Sequence, residues 1–183
     1  MNFIEIYDNA LSLDECEMFR NHFDLSTTTV RGRINYEGES IIDFEKKKCF
    51  EMSGCYFSQG NYMTDILKSS LINCIGKYNK KYKSLDHASS WSICDDFTFK
   101  KYETEDDGFK IWHTEQSKGT ADRIFVWQFY LNNAESGTEF MHYDNVEAKE
   151  GRCVLWPAGW THMHRSLPNK GLKYVISGWV SFT

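Results

Sequence analysis

From Phe97 onward the hydrophobic pattern of this 183-residue chain switches from a helical repeat to residue-by-residue alternation. It holds that alternation almost to the last residue. Seven runs read as strands: Phe97–Glu103, Phe109–Gln116, Arg123–Asn132, Thr138–Val146, Arg152–Trp156, His162–Leu167 and Leu172–Phe182. Turns bearing Gly or Asp separate them: Glu-Asp-Asp-Gly, Ser-Lys-Gly, Glu-Ser-Gly, Lys-Glu-Gly, Pro-Ala-Gly and Asn-Lys-Gly. Seven or eight short strands after leading helices predict an α+β, mainly β fold. The expected form is an antiparallel double-stranded β-helix, or jelly roll, with the helices buttressing one sheet.

The leading half carries two helix signals. Ser12-Leu-Asp-Glu15 reads as a capping box, and behind it Leu13, Cys16, Phe19 and Phe23 fall on one stripe, predicting a helix over 13–24. A second helix is expected over 61–82, with Met63, Leu67, Leu71, Cys74, Ile75, Tyr78 and Tyr82 on its apolar face. Between them, 27–58 suggests short strands interrupted by Lys46-Lys47-Lys48 and several glycines. With no repeat or linker in view, a single domain over 1–183 is expected, with helical support over about 1–90 and a jelly-roll core over about 91–183.

Composition narrows the function classes. Aromatic residues make up 16% and there are two prolines, which suits a sheet-rich core. The net charge of −5 argues against a nucleic-acid-coating surface. No apolar run is long enough for a membrane span, so no membrane partner is expected. Met-Asn-Phe-Ile-Glu-Ile lacks a basic n-region and a long apolar stretch, so a cytoplasmic location is expected. The six cysteines include no Cys-x-x-Cys and read as buried reduced thiols.

The chemistry concentrates between His113 and Lys173. His113-Thr-Glu115 on a strand places both side chains on one face, and a later histidine completes a 2-His-1-carboxylate set of the kind that holds non-haem Fe(II). In Trp160-Thr-His162-Met-His164-Arg165 two histidines share a face, so the residues alone leave the second ligand open. His142-Tyr-Asp144 is a competing pair, but it adjoins the charged turn Glu147–Gly151 and reads as a solvent-facing edge. His22 and His87 have no partners at ligand spacing. Alternation through Lys173–Phe182 puts Lys173, Val175, Ser177 and Trp179 on one face, and a core lysine there needs an anion to face it. A zinc hydrolase would want His-Glu-x-x-His, which is absent.

These pieces together resemble the 2-oxoglutarate/Fe(II)-dependent dioxygenases, in particular the prolyl-4-hydroxylase-like branch of bacteria and phages. The matching segments are Lys-Lys-Tyr102, Trp-His113-Thr-Glu115, Trp127-Gln-Phe-Tyr130-Leu-Asn, Gly137-Thr-Glu-Phe, Gly151-Arg-Cys-Val-Leu-Trp-Pro-Ala-Gly159, Thr-His-Met-His164-Arg and Lys173-Tyr-Val-Ile-Ser-Gly-Trp179. They cover almost half the chain. The resemblance implies that His113, Glu115 and His164 bind iron. It also implies that Lys173 pairs with the distal carboxylate of 2-oxoglutarate, that Tyr102 and Tyr130 donate hydroxyls to it, and that Trp179 walls the pocket. It favours His164 over His162 by the spacing to Lys173 and Trp179. Glu115 stands where the family usually has Asp, and Lys173 gives a point charge in place of an Arg fork. The implied reaction hydroxylates a C–H bond, with a peptidyl-proline substrate favoured over a small molecule, while 2-oxoglutarate and O2 become succinate and CO2. Ascorbate is the accompanying reductant, and a monomer or weak homodimer is expected. Specificity is expected from 27–58 and the loops 103–108 and 116–122. Two rivals are a non-catalytic cupin-like binding module and a structural jelly roll.

Overall fold

The chain order is β1 (Glu5–Tyr7), α1 (Leu13–Leu25), β2 (Thr29–Arg31), β3 (Ile34–Tyr36), β4 (Glu39–Ile41), β5 (Lys47–Lys48), β6 (Phe50–Tyr56), α2 (Tyr62–Lys81), β7 (Trp91–Tyr102), β8 (Gly108–Phe109), β9 (Arg123–Tyr130), β10 (Gly137–Phe140), β11 (Val146–Glu147), β12 (Cys153–Pro157), β13 (His164–Ser166) and β14 (Lys173–Phe182). These come from a computed structural model that describes residues 1–36 and 39–183. The large sheet runs β1-β12-β9-β14-β7-β6-β2, antiparallel throughout, and a small sheet runs β11-β10-β13. The β-rich double-sheet architecture is that of a jelly roll.

Both predicted helices form. The Ser12 hydroxyl accepts from the Glu15 amide while the Glu15 carboxylate accepts from the Ser12 amide, closing the capping box. Asn61 and Thr64 do the same for α2. Cys16, Phe19 and Phe23 of α1 are buried, but Leu13, expected on the same stripe, is exposed in the first turn. On α2, Leu67, Leu71, Cys74, Ile75 and Tyr78 are buried.

The large sheet has two different faces. Phe97, Phe99, Phe125, Trp127, Phe129, Leu155, Ile176 and Val180 form one core cluster with the helices. A side chain at Gly178 would place its first carbon 2.3 Å from the Trp127 ring, so that position must stay bare. Alternate residues, among them Tyr102, Val126, Tyr130, Val154, Trp156 and Val175, meet Phe140 and Val146 of the small sheet in a second cluster.

Several boundaries differ from the sequence expectation. β7 starts six residues earlier than expected, at Trp91. The run Thr138–Val146 is two short strands separated by a loop, β10 keeping to its partner β13 as far as the Met141 amide, which bonds the Met163 carbonyl. The lysines at 46–48 do not break the chain. Lys47–Lys48 pairs with β8, with Lys47 buried and its ammonium 2.5 Å from Glu51. Residues 27–58 add β2 and β6 to the large sheet. Among the described residues no helix is long and apolar enough to cross a membrane.

Candidate metal centre

The segment expected as the strand Phe109–Gln116 starts in β8, which pairs with β5, and is then held by a single bridge, His113 to His164. The two residues exchange both backbone hydrogen bonds at 3.0 Å, while the Glu115 amide and the Thr114 hydroxyl are held by the Ala158 carbonyl. This pinned, irregular stretch still presents His113 and Glu115 to the same point. His113 Nε2 lies 3.7 Å and His164 Nε2 3.6 Å from Glu115 Oε1. Among the described residues this is the group whose donor atoms all fall within 4.8 Å of one another.

Neighbouring groups set the direction of every lone pair. His113 Nδ1 is 3.0 Å from the Ile111 carbonyl, and His164 Nδ1 is 2.9 Å from the His162 carbonyl. A carbonyl oxygen can only accept, so each Nδ1 carries the proton and each Nε2 offers its lone pair inward. Glu115 Oε2 accepts from Trp179 Nε1 at 2.8 Å and lies 3.4 Å from Arg123 Nη1, leaving Oε1 for the centre. The Arg123 guanidinium stacks 3.6 Å over the Trp179 ring, and Phe109 stacks on His113 at 3.7 Å. Burial, reinforced by His164, pushes the His113 imidazole down to about 3, so it is neutral at pH 7. Burial alone would raise the Glu115 carboxyl, but the polar groups crowded against it, with Lys100 adding positive charge, hold it well below the usual range. Two Nε2 lone pairs turned inward and an ionised carboxylate are what a divalent ion requires. The donor set therefore fits Fe(II).

His162 points elsewhere. It is buried, with Nε2 2.7 Å from the Asn2 carbonyl, Nδ1 2.9 Å from Thr161 Oγ1, and its ring stacked on Tyr143. His142 and Asp144 lie exposed in the loop after β10, and His22 and His87 are exposed as well.

A cavity of about 520 Å³ opens beside the triad. Its wall includes Tyr102, Gln128, Thr138, Trp156, Ser177 and Trp179. The Tyr130 hydroxyl, 2.7 Å from Thr138 Oγ1, stands just behind that wall, and burial pushes its phenol up to about 12, so it stays protonated. Lys173 is buried beneath Tyr102, its ammonium 4.6 Å from the ring centroid and 2.6 Å from Ser136 Oγ. Sequence reasoning passed over two charged residues here, Arg123 and Lys100. Lys100 was legible in principle, since it sits two positions before Tyr102 on one strand and so shares its face.

Residues 97–181 match the family model of the 2OG-Fe(II) oxygenase superfamily. Among curated proteins none matches the chain in sequence. Solved structures share its fold. The 2OG complex of a viral collagen prolyl hydroxylase from Paramecium bursaria Chlorella virus-1 superposes with a TM-score of 0.67 at 14% identity, covering 100% of this chain and 97% of that one. A Trichoplax adhaerens prolyl hydroxylase, in complex with a hypoxia inducible factor oxygen degradation domain peptide, gives 0.71 at 13% identity, covering 99% and 84%. A Pseudomonas putida prolyl-4-hydroxylase gives 0.69 at 12% identity, covering 98% and 92%.

Proposed function

From a chain whose residues 97–181 match the family model of the 2OG-Fe(II) oxygenase superfamily, we propose a hydroxylase that oxidises a C–H bond of a peptidyl-proline substrate with O2 and turns 2-oxoglutarate into succinate and CO2. The observation that carries this reading is Glu115 Oε1, which stands 3.7 and 3.6 Å from two Nε2 atoms whose Nδ1 protons are already committed to carbonyls.

His113, Glu115 and His164 would hold Fe(II), which supplies O2 activation when bound, with open positions for co-substrate and oxygen. The rest is the work of the chain's own residues. Trp179 and Arg123 fix the carboxylate through Oε2, so Glu115 presents a single oxygen. This restrains a side chain one methylene longer than Asp. The phenols of Tyr102 and Tyr130 stay protonated by burial and serve as donors to the co-substrate's distal carboxylate. Lys173 adds positive charge from beneath Tyr102. Trp156, Phe140 and Phe109 pack around the imidazoles and keep water from the reacting atoms. The peptidyl-proline assignment is supported by the three prolyl hydroxylases that share the fold and by a cavity large enough for a side chain and its flanking backbone. Six free thiols suit a reducing compartment such as the cytoplasm.

The direct test is succinate formation from 2-oxoglutarate with Fe(II), ascorbate and a proline-containing peptide in air, with hydroxyproline read by mass spectrometry. Succinate with an intact peptide would remove the proline assignment but keep the oxygenase. No succinate under any condition would favour a binding module.

A further inference from the structure

We propose that the peptide this site takes is acidic, bearing carboxylate side chains close to the residue brought to the triad, and that Arg33 and Arg165 receive them. This rests on the oxygenase reading above and names the substrate class within it. The chain carries 26 acidic against 21 basic residues, yet the cavity beside the triad reverses that balance. Six cationic side chains line it, Arg33, Lys46, Lys47, Lys100, Arg123 and Arg165, against the carboxylates Glu51 and Glu115. Glu51 is taken by the Lys47 ammonium at 2.5 Å, and Glu115 belongs to the triad. A cationic mouth on an acidic molecule draws anions to that one place while the rest of the surface repels them.

Most of these cations already have work inside the protein. Lys46 and Lys47 pair with Asp43 and Glu51, while Lys100 and Arg123 lie against Ser177 and Glu115 within the site. The two remaining arginines are oriented to hold an anion. Arg33 is exposed, just ahead of β3, within the stretch 27–58 expected to set specificity. Its Nε donates to Ser40 Oγ at 3.2 Å and its Nη2 to the Ser40 carbonyl at 2.9 Å. Both acceptors are neutral, and among the described residues Arg33 pairs with no carboxylate. The β3-β4 hairpin thus sets the plane of this guanidinium without cancelling its charge. Arg165, half-buried, directly follows the ligand His164. Glu139 accepts from its Nε at 2.6 Å, and the guanidinium lies 4.4 Å over the Trp112 ring. That leaves its paired Nη groups, the edge that matches both oxygens of a carboxylate, without an acceptor among the described residues. The Arg33 carbonyl in turn accepts from the Lys47 ammonium, which lies 5.3 Å over Phe109, the ring stacked on His113. Both arginines therefore stand within a few side chains of the two ligand histidines, where residues flanking the reacting one must pass.

The test loads the full chain with Mn(II) and 2-oxoglutarate without oxygen and follows the fluorescence anisotropy of two labelled peptides. Each holds a proline in a Gly/Ser host; one has Asp on both sides of it, the other Asn at the same places. The wild type is expected to bind the Asp peptide about 10-fold tighter, with the gap closing as salt rises. Arg33→Gln and Arg165→Gln should each narrow that preference, and the two together should erase it. Arg33→Glu combined with Arg165→Glu should reverse it in favour of Asn. A merely structural role for the arginines predicts that both peptides weaken together with the preference kept, which overturns the proposal. Equal affinities in the wild type, or no binding of either peptide, overturn it as well. Succinate formed in air is measured alongside. Succinate without a charge preference strikes the acidic substrate and keeps the oxygenase, whereas the preference without succinate from any peptide removes the oxygenase reading itself.

Discussion

The two faces of the large sheet are made by alternate residues of the same strands, yet they obey different physics. On the helix side, Phe97, Phe99, Phe125, Trp127, Phe129 and Ile176 pack against α1 and α2 with no charged group among them. On the other side, Thr98, Lys100, Gln128, Ser177 and Trp179 interrupt the apolar surface and line a cavity. One face buries area and stabilises; the other carries desolvated polar groups, whose interactions a metal and acid would complete under the proposed function. Substitutions on the two faces should therefore separate folding from chemistry.

The largest separation is expected at the triad. His113→Ala, Glu115→Ala and His164→Ala should each abolish the visible charge-transfer band that Fe(II) and 2-oxoglutarate give together without oxygen, while His162→Ala and His142→Ala keep it. Loss of the band in His162→Ala with retention in His164→Ala would reverse the ligand choice. On the helix face, Phe19→Ala removes a side chain 2% exposed and should cost about 3–5 kcal/mol in urea denaturation, with the band unmoved in the folded protein. A shifted band would mean that the faces are not independent.

Lys173 gives a pH signature. Burial holds its ammonium at about 8, below the ordinary 10.5, so between those values the unfolded chain binds more protons than the folded one. The destabilisation that Lys173 brings is complete below pH 8 and fades as pH rises toward 10.5. Wild type should therefore gain on Lys173→Met by up to about 3 kcal/mol across that window. Comparing the pair removes the opposing effect of the buried tyrosines and cysteines. A difference in unfolding free energy that stays constant with pH would contradict this. The smallest expected effect belongs to Trp179→Phe, which loses the 2.8 Å bond to Glu115 Oε2 and should weaken Fe(II) about 10- to 100-fold without loss of fold. Metal titration followed by calorimetry checks it.

Much of this was legible in the sequence, for reasons particular to each part. Alternation in Lys173–Phe182 separated Lys173, Val175, Ser177 and Trp179 from Tyr174, Ile176 and Val180, and the two cores keep that division. Ser12 and Asn61 marked helix starts because capping is a local interaction. Long-range pairing was not legible. His113-Thr-Glu115 works without a continuous strand, since His164 and Ala158 supply its backbone partners from more than forty residues away. Lys47 is buried by Glu51 and the Arg33 carbonyl, an arrangement that no lysine run announces. The choice between His162 and His164 depended on Asn2, at the opposite end of the chain.

That last contact ties the first residues to the candidate metal centre. His162 is clamped by the Asn2 carbonyl on one side and hands its own carbonyl to His164 on the other. A fused or trimmed first residue would release the imidazole but leave in place the main-chain carbonyl that orients His164. The amino terminus is therefore expected to be a safer place for a tag than its closeness to the triad suggests.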